Sequence, residues 1–104
     1  MRNEEVVRKF TKGFGHARGS NLYIEGDKLI NYTTIIALRY SDRIVMNENH
    51  YSHTTKVHQN RIEQYADNLI KVNERIINAL SRGDLTLEEA QEKMEEIRGE
   101  SDAS

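Results

Sequence analysis

Three of the four histidines, His50, His53 and His58, fall within nine consecutive positions of the segment Asn49-His-Tyr-Ser-His-Thr-Thr-Lys-Val-His-Gln-Asn60. Imidazole is the commonest metal ligand, and the chain has no Cys, so any metal must be held by His and carboxylates. His-x-x-His followed by a third His where a helix begins would offer three nitrogens to a tetrahedral zinc, with His16 or a carboxylate as the fourth ligand. The role expected of such an ion is structural, stapling sheet to helix in a domain short of core. Against zinc stands the plainer reading, two surface histidines in a turn and one facing its own helix's packing surface. Ser52, Thr54 and Thr55 lie near the same imidazoles, and Asp42 or Glu48 could orient one, which are the parts of a Ser-His-Asp arrangement. No Gly-x-Ser-x-Gly elbow accompanies them, and Ser52 and Thr54 suit helix N-caps, so no enzyme activity is expected.

Charge is the second chemical resource. Residues 1–61 carry ten Lys/Arg against six Asp/Glu, and residues 62–104 five against eleven, so a formal net charge of −2 hides two halves of opposite sign. The acid is concentrated from Asp84 onward, with Glu88, Glu89, Glu92, Glu95 and Glu96 as its centre. An acidic amphipathic helix is often only a solvated helix. The sharper expectation is a partner-binding ridge whose carboxylates imitate a phosphate row and occupy a basic groove on another protein. In the first half, Arg2, Arg8, Lys9, Lys12 and Arg18 alternate with Phe10, Phe14 and His16, the composition of a patch that tracks nucleic acid. Gly13-x-Gly15-x-x-x-Gly19 has neither the dinucleotide spacing nor the Gly-Lys-Ser/Thr of a P-loop, and reads as a mobile basic loop.

The elements that must position these groups follow from periodicity. Asn3 caps a short helix that aligns Val6, Val7 and Phe10. Between Ser20 and Asn49, runs rich in β-branched and aromatic residues predict strands at 22–24, 28–32, 34–40 and 43–46, paired as an antiparallel meander through short turns. Strict alternation would put Ile36 and Leu38 on one face and Ile35, Ala37 and Arg39 on the other. From about residue 55 to 80, Ile62, Tyr65, Leu69, Val72, Ile76 and Leu80 step at helical spacing and predict one long helix, stopped at Gly83. Thr86-Leu-Glu-Glu89 offers a capping box for a second helix bearing Leu87, Ala90, Met94 and Ile97. These two seams predict a helical hairpin from about 55 to 98, or alternatively a homodimer interface. The expected fold is α+β in one domain, 1–98, with three to four antiparallel strands and a disordered tail at 99–104. Met1-Arg-Asn-Glu-Glu5 is not a secretory opening and no run is apolar enough to span a bilayer, so a cytoplasmic protein without membrane partners is expected.

Two strings, Asn31-Tyr-x-Thr-x-Ile-Ala37 and Tyr51-Ser-x-Thr-Thr-x-x-His-Gln-Asn60, with Asn47 between them, resemble a family of small proteins carried by tailed phages and related mobile elements. The resemblance covers roughly residues 3–62 and implies a short helix, a Gly-containing loop, a small sheet and a helix start at the second string. It brings no catalytic or binding residues with it, and the chain after residue 62 departs from the shorter members. It implies an origin, and with it the cytoplasm of an infected bacterial host as location. In size, charge layout and lack of catalytic equipment the chain is similar to anti-CRISPR proteins, which bind RNA-guided nucleases stoichiometrically and block nucleic-acid loading. The expectation is therefore an inhibitor of a host effector protein, with a small nucleic-acid-binding regulator as the alternative.

Overall fold

The computed structural model describes residues 1–103, with side chains through Glu100. The elements run α1 (Asn3–Thr11), β1 (His16–Arg18), β2 (Leu22–Glu25), β3 (Lys28–Asn31), β4 (Thr34–Arg39), β5 (Ile44–Asn47), α2 (His53–Tyr65), β6 (Leu69–Val72), α3 (Glu74–Arg82) and α4 (Leu87–Ala103). The class is α+β as expected, but the sheet has six strands in the order β1-β2-β3-β4-β5-β6. The first five form the antiparallel meander; β6 joins β5 in parallel, so β5, α2 and β6 make a βαβ crossover.

Two corrections follow. His16–Arg18, read from its glycines as loop, is an edge strand paired with β2 through His16↔Glu25 and Arg18↔Tyr23. The predicted helix of residues 55–80 is not continuous. It breaks at Ala66, whose extended backbone leads through Asp67 and Asn68 into β6. The apolar residues of Leu69-Ile70-x-Val72 fit both periods. Pairing with β5 decides between them, because it divides them between the two faces of the sheet, Leu69 to one core and Ile70 and Val72 to the other. Asn73 then caps α3 by accepting from Ile76 N at 2.9 Å. The hairpin that exists is α3–α4. It turns at Gly83, held in the left-handed region at φ 80°, and enters α4 through a reciprocal Thr86–Glu89 capping box. Helix α4 continues through Gly99 and Glu100, where a tail was expected; the side chains of 101–103 and all of Ser104 lie outside the described residues.

Apolar cores lie on both faces of the sheet. One joins Val6, Val7 and Phe10 of α1 and Ile62 of α2 to Leu22, Ile24, Leu29, Ile36 and Met46. The other joins Ile76, Ile77 and Leu80 of α3 and Ala90 and Met94 of α4 to Leu38, Val45 and Val72. Alternation in β4 is broken by a bulge. Leu29 pairs with Ala37 and Ile30 with Ile35, leaving Ile36 as the extra residue, so Ile36 and Ala37 both enter the first core while Ile35 and Leu38 meet the second. Arg39, beyond the bulge, reaches back over the Phe10 ring and donates to Phe10 O (2.8 Å), Phe14 O (3.1 Å) and Gly26 O (3.1 Å). A cation thereby closes the C-terminus of α1, where the helix dipole is negative.

Gly83→Ala should lower stability by about 1–2 kcal/mol, because a Cβ disfavours the left-handed conformation although nothing crowds it there. A thermal melt showing no decrease would mean that the α3–α4 turn does not depend on that conformation.

Candidate functional site

The histidines expected to share a metal are held apart. His53 opens α2 and His58 lies five residues on, about 140° around the helix axis. His50 and His53 are exposed, whereas His58 is buried. Its Nε2 is 3.1 Å from Asn21 Oδ1, an atom that also accepts from Asn3 Nδ2 at 3.0 Å. That acceptor role makes Nε2 the protonated ring nitrogen. Among the described residues no three His, Cys, Asp or Glu side chains are gathered so as to hold a metal ion. The zinc reading fails because helix geometry and burial assign His58 to another task. The Ser-His-Asp parts are dispersed too: Ser52 caps α2, the Thr55 hydroxyl donates to Asn31, and Asp42 pairs with Arg43 at 3.1 Å.

His58 belongs to a buried polar network that the second sequence string builds. The Thr55 hydroxyl donates to Asn31 Oδ1 at 2.7 Å, and Asn31 Nδ2 donates to Asn21 O at 2.8 Å. One turn along α2, Gln59 Nε2 donates to Asn47 O at 2.7 Å and Asn49 O at 3.0 Å. Asn47 donates to Ile35 O and to the Tyr51 hydroxyl. Asn3, read as a cap, sits inside α1; Arg2 precedes the helix without a side-chain cap, and the Asn3 amide instead binds Ser20 and Asn21. It lies so close over Gly19 that a Cβ there would collide with it. The turn after β3 holds Tyr32 at φ 57°, an uncommon conformation for tyrosine, with its backbone N–H bonded to Asn21 O at 3.0 Å.

The acidic residues are placed quite differently. Ala90 and Met94 turn one side of α4 into the core, and Glu88, Glu89, Glu92, Glu95 and Glu96 all face solvent. Glu89 is spent on the capping box, and its bonds to Thr86 hold its carboxyl below the usual range. The other four make no salt bridge among the described residues. Arg98 leaves the ridge to bond Lys71 O and Glu48, and Ile97, the last residue of the expected seam, is 43% exposed.

The basic half divides over two surfaces. Phe10 is fully buried and unavailable to a ligand, while Phe14 is half exposed beneath the Lys9 ammonium. Glu5, Arg8, Lys9, Lys12 and Phe14 line a groove of about 300 Å³ beside α1. Arg18 crosses to the opposite sheet face and stacks on Tyr23, its guanidinium 4.9 Å from the ring centre. A larger groove of about 790 Å³ runs from the β2–β3 turn to the end of α3, with Lys28, Tyr40 and Ser81 among its walls. Burial pushes the Tyr40 hydroxyl pKa up. Sequence reasoning passed over Tyr23, Lys28 and Tyr40, and the signal available was the alternation of Tyr23 with Leu22 and Ile24.

The His58 environment makes a pH prediction. Burial, and secondarily the nearby Arg61 charge, lowers its pKa below the ordinary 6.5. Protonation would also put a proton on Nδ1, a buried atom with no hydrogen-bond partner. The neutral form therefore stabilises the fold fully above pH 6.5, and this contribution is lost as pH falls from there toward and through the lowered value. Urea unfolding at neutral and mildly acidic pH should show the loss, and His58→Gln should flatten that part of the profile. An unaltered profile in the variant would assign the acid sensitivity elsewhere. Thr55→Val, which strands Asn31 Oδ1, should cost about 1–3 kcal/mol in the same assay.

Compared with known proteins, the chain matches no family model, no curated protein and no solved structure.

Proposed function

We propose that the protein is a non-catalytic inhibitor of phage or mobile-element origin, which binds a host defence protein stoichiometrically through the acidic face of α4. The observation that carries this reading is the set of solvent-facing carboxylates Glu88, Glu92, Glu95 and Glu96, unmatched by salt bridges among the described residues. Residues three and four apart on a helix lie about 5–6 Å from one another, so the ridge offers a row of negative charges at close, fixed intervals. A groove built to hold a nucleic-acid backbone meets such a row with complementary potential. Exposed Ile97 beside the ridge adds an apolar contact that a bare phosphate strand lacks. An RNA-guided nuclease is the target class proposed, and the mechanism is steric and electrostatic exclusion of its nucleic acid, without turnover.

Reversing Glu92, Glu95 and Glu96 to Lys tests the ridge without touching the Glu89 cap or the favourable charge of Glu88 in the first turn. Titrated against DNA cleavage by an RNA-guided nuclease, the wild-type chain should inhibit at equimolar ratio, and the triple variant should not. Its stability should change by no more than about 0.5 kcal/mol per site, as for other surface substitutions. Full inhibition by the variant would sink the acidic-ridge mechanism, and no inhibition by the wild type would remove this target class.

A further inference from the structure

We propose that the part of the sheet left open beside α3 is a binding surface for single-stranded nucleic acid. The apolar cluster beneath α3 and α4 draws strand residues from β4, β5 and β6 and none from β1, β2 or β3. On the opposite face those first strands contribute Ala17, Leu22, Ile24 and Leu29 to the core under α1 and α2. Strand alternation therefore turns His16, Arg18, Tyr23, Glu25 and Lys28 to the side without a helix layer over it. Arg18 and Tyr23 are cross-strand partners and are stacked, which presents a planar cation and an aromatic ring together. Lys28, on the neighbouring strand, lines the 790 Å³ groove, as does Tyr40.

The chemistry of this surface selects its ligand. Arg18 and Lys28 make no salt bridge among the described residues, and the Arg18 guanidinium rests on an aromatic ring. Of the two carboxylates at the hairpin tip, both of which border the groove, Asp27 is matched by Arg39 and Glu25 is the cross-strand partner of Lys28, which leaves Arg18 as the cation with no carboxylate opposite it. Arg18 stacked on Tyr23, with Lys28 and Tyr40 bordering the groove, suits a polyanion that also carries flat apolar rings, since phosphates answer the cations and unpaired bases stack on the aromatics. A duplex keeps its bases stacked inside and has no rings to offer. This surface shares no residue with the α4 ridge, and either assignment can fail without the other.

The experiment is fluorescence polarisation of a labelled oligodeoxythymidylate titrated with the full chain at low salt. Binding should weaken steeply as salt rises, by roughly tenfold or more in the double variant Arg18→Glu/Lys28→Glu, and should survive Glu92→Lys/Glu95→Lys/Glu96→Lys. Amide shifts of the wild-type protein on adding the oligonucleotide should map to residues 16–28 and Tyr40, a readout that holds even if the double variant folds poorly. The proposal is overturned by no binding at low salt, by undiminished binding of the folded double variant, or by equal affinity for the duplex. It is also overturned if the wild type self-associates without oligonucleotide and the double variant does not, because the face would then belong to the acidic helix of a second copy.

Discussion

Asn31 ends β3 beneath α2, where an amide survives burial only if its donors and acceptor are matched. Its Nδ2 donates to the backbone of Asn21 and its Oδ1 accepts from Thr55, so one side chain fixes the relative positions of β3, the turn before β2, and α2. Asn21 passes the constraint on, because its Oδ1 also receives His58 from α2 and Asn3 from α1. A one-residue slip of β3 would exchange Asn31 with Ile30 and strand a buried amide under an apolar layer. A one-residue shift of α2 would turn Thr55, His58 and Gln59 about 100° away from their partners. Hydrophobic contacts, being non-directional, would tolerate both errors far better. The network supplies the register that the two apolar cores lack, and it does so at the end of the sheet where the βαβ crossover begins.

The unequal covering of the two faces follows from length. On the first face α1 and α2 lie side by side, joined by the Tyr65 hydroxyl donating to Glu4 at 2.7 Å, and their core takes residues from all six strands. On the second face the sheet is met by α3, whose nine residues extend about 14 Å, roughly three strand spacings. Helix α4 is longer, but it packs against α3 and β6 with Ala90 and Met94 and then runs on past the core. Nothing in the described chain remains to cover β1 and β2. The edge strand β1 is only three residues long and carries outward His16 and Arg18, which limits its use as a template for unwanted strand pairing.

Much of this was legible where one period dominated. The meander showed in the β-branched runs and their short turns, and the α3–α4 corner in Gly83 and the Thr86–Glu89 box. Residues 62–80 misled because Leu69, Ile70 and Val72 satisfy a helical step and a buried strand equally. The arbiters were local and polar, Asp67-Asn68 as a break and Asn73 as a cap, set against a partner strand more than 20 residues away that no local pattern reveals. The β4 bulge was hidden for the same reason: Ile36 and Ala37 share a face only because β3 supplies one residue opposite them. For the site, residue type predicted the exposed Glu ridge correctly as a helix face, but could not say that His58 points into the protein while His50 and His53 point out. Adjacency in sequence was mistaken for adjacency in space.

The same geometry says where function can and cannot reside. Asn31, Asn47, Thr55, His58 and Gln59, the buried polar members of the two sequence strings and the Asn47 between them, are bonded to one another, to backbone or to Asn21. Residues so engaged are constrained by folding, and a motif made of them reports architecture; it is silent on partners. What remains free to act lies outside that network, as carboxylates on α4 and as cations with tyrosines on the open strands. The two charge sets belong to opposite ends of the chain and to different elements, with no salt bridge between them among the described residues. The fold places α4 beside β6, at the edge of the sheet far from β1, so the two charged surfaces stand apart and neither neutralises the other.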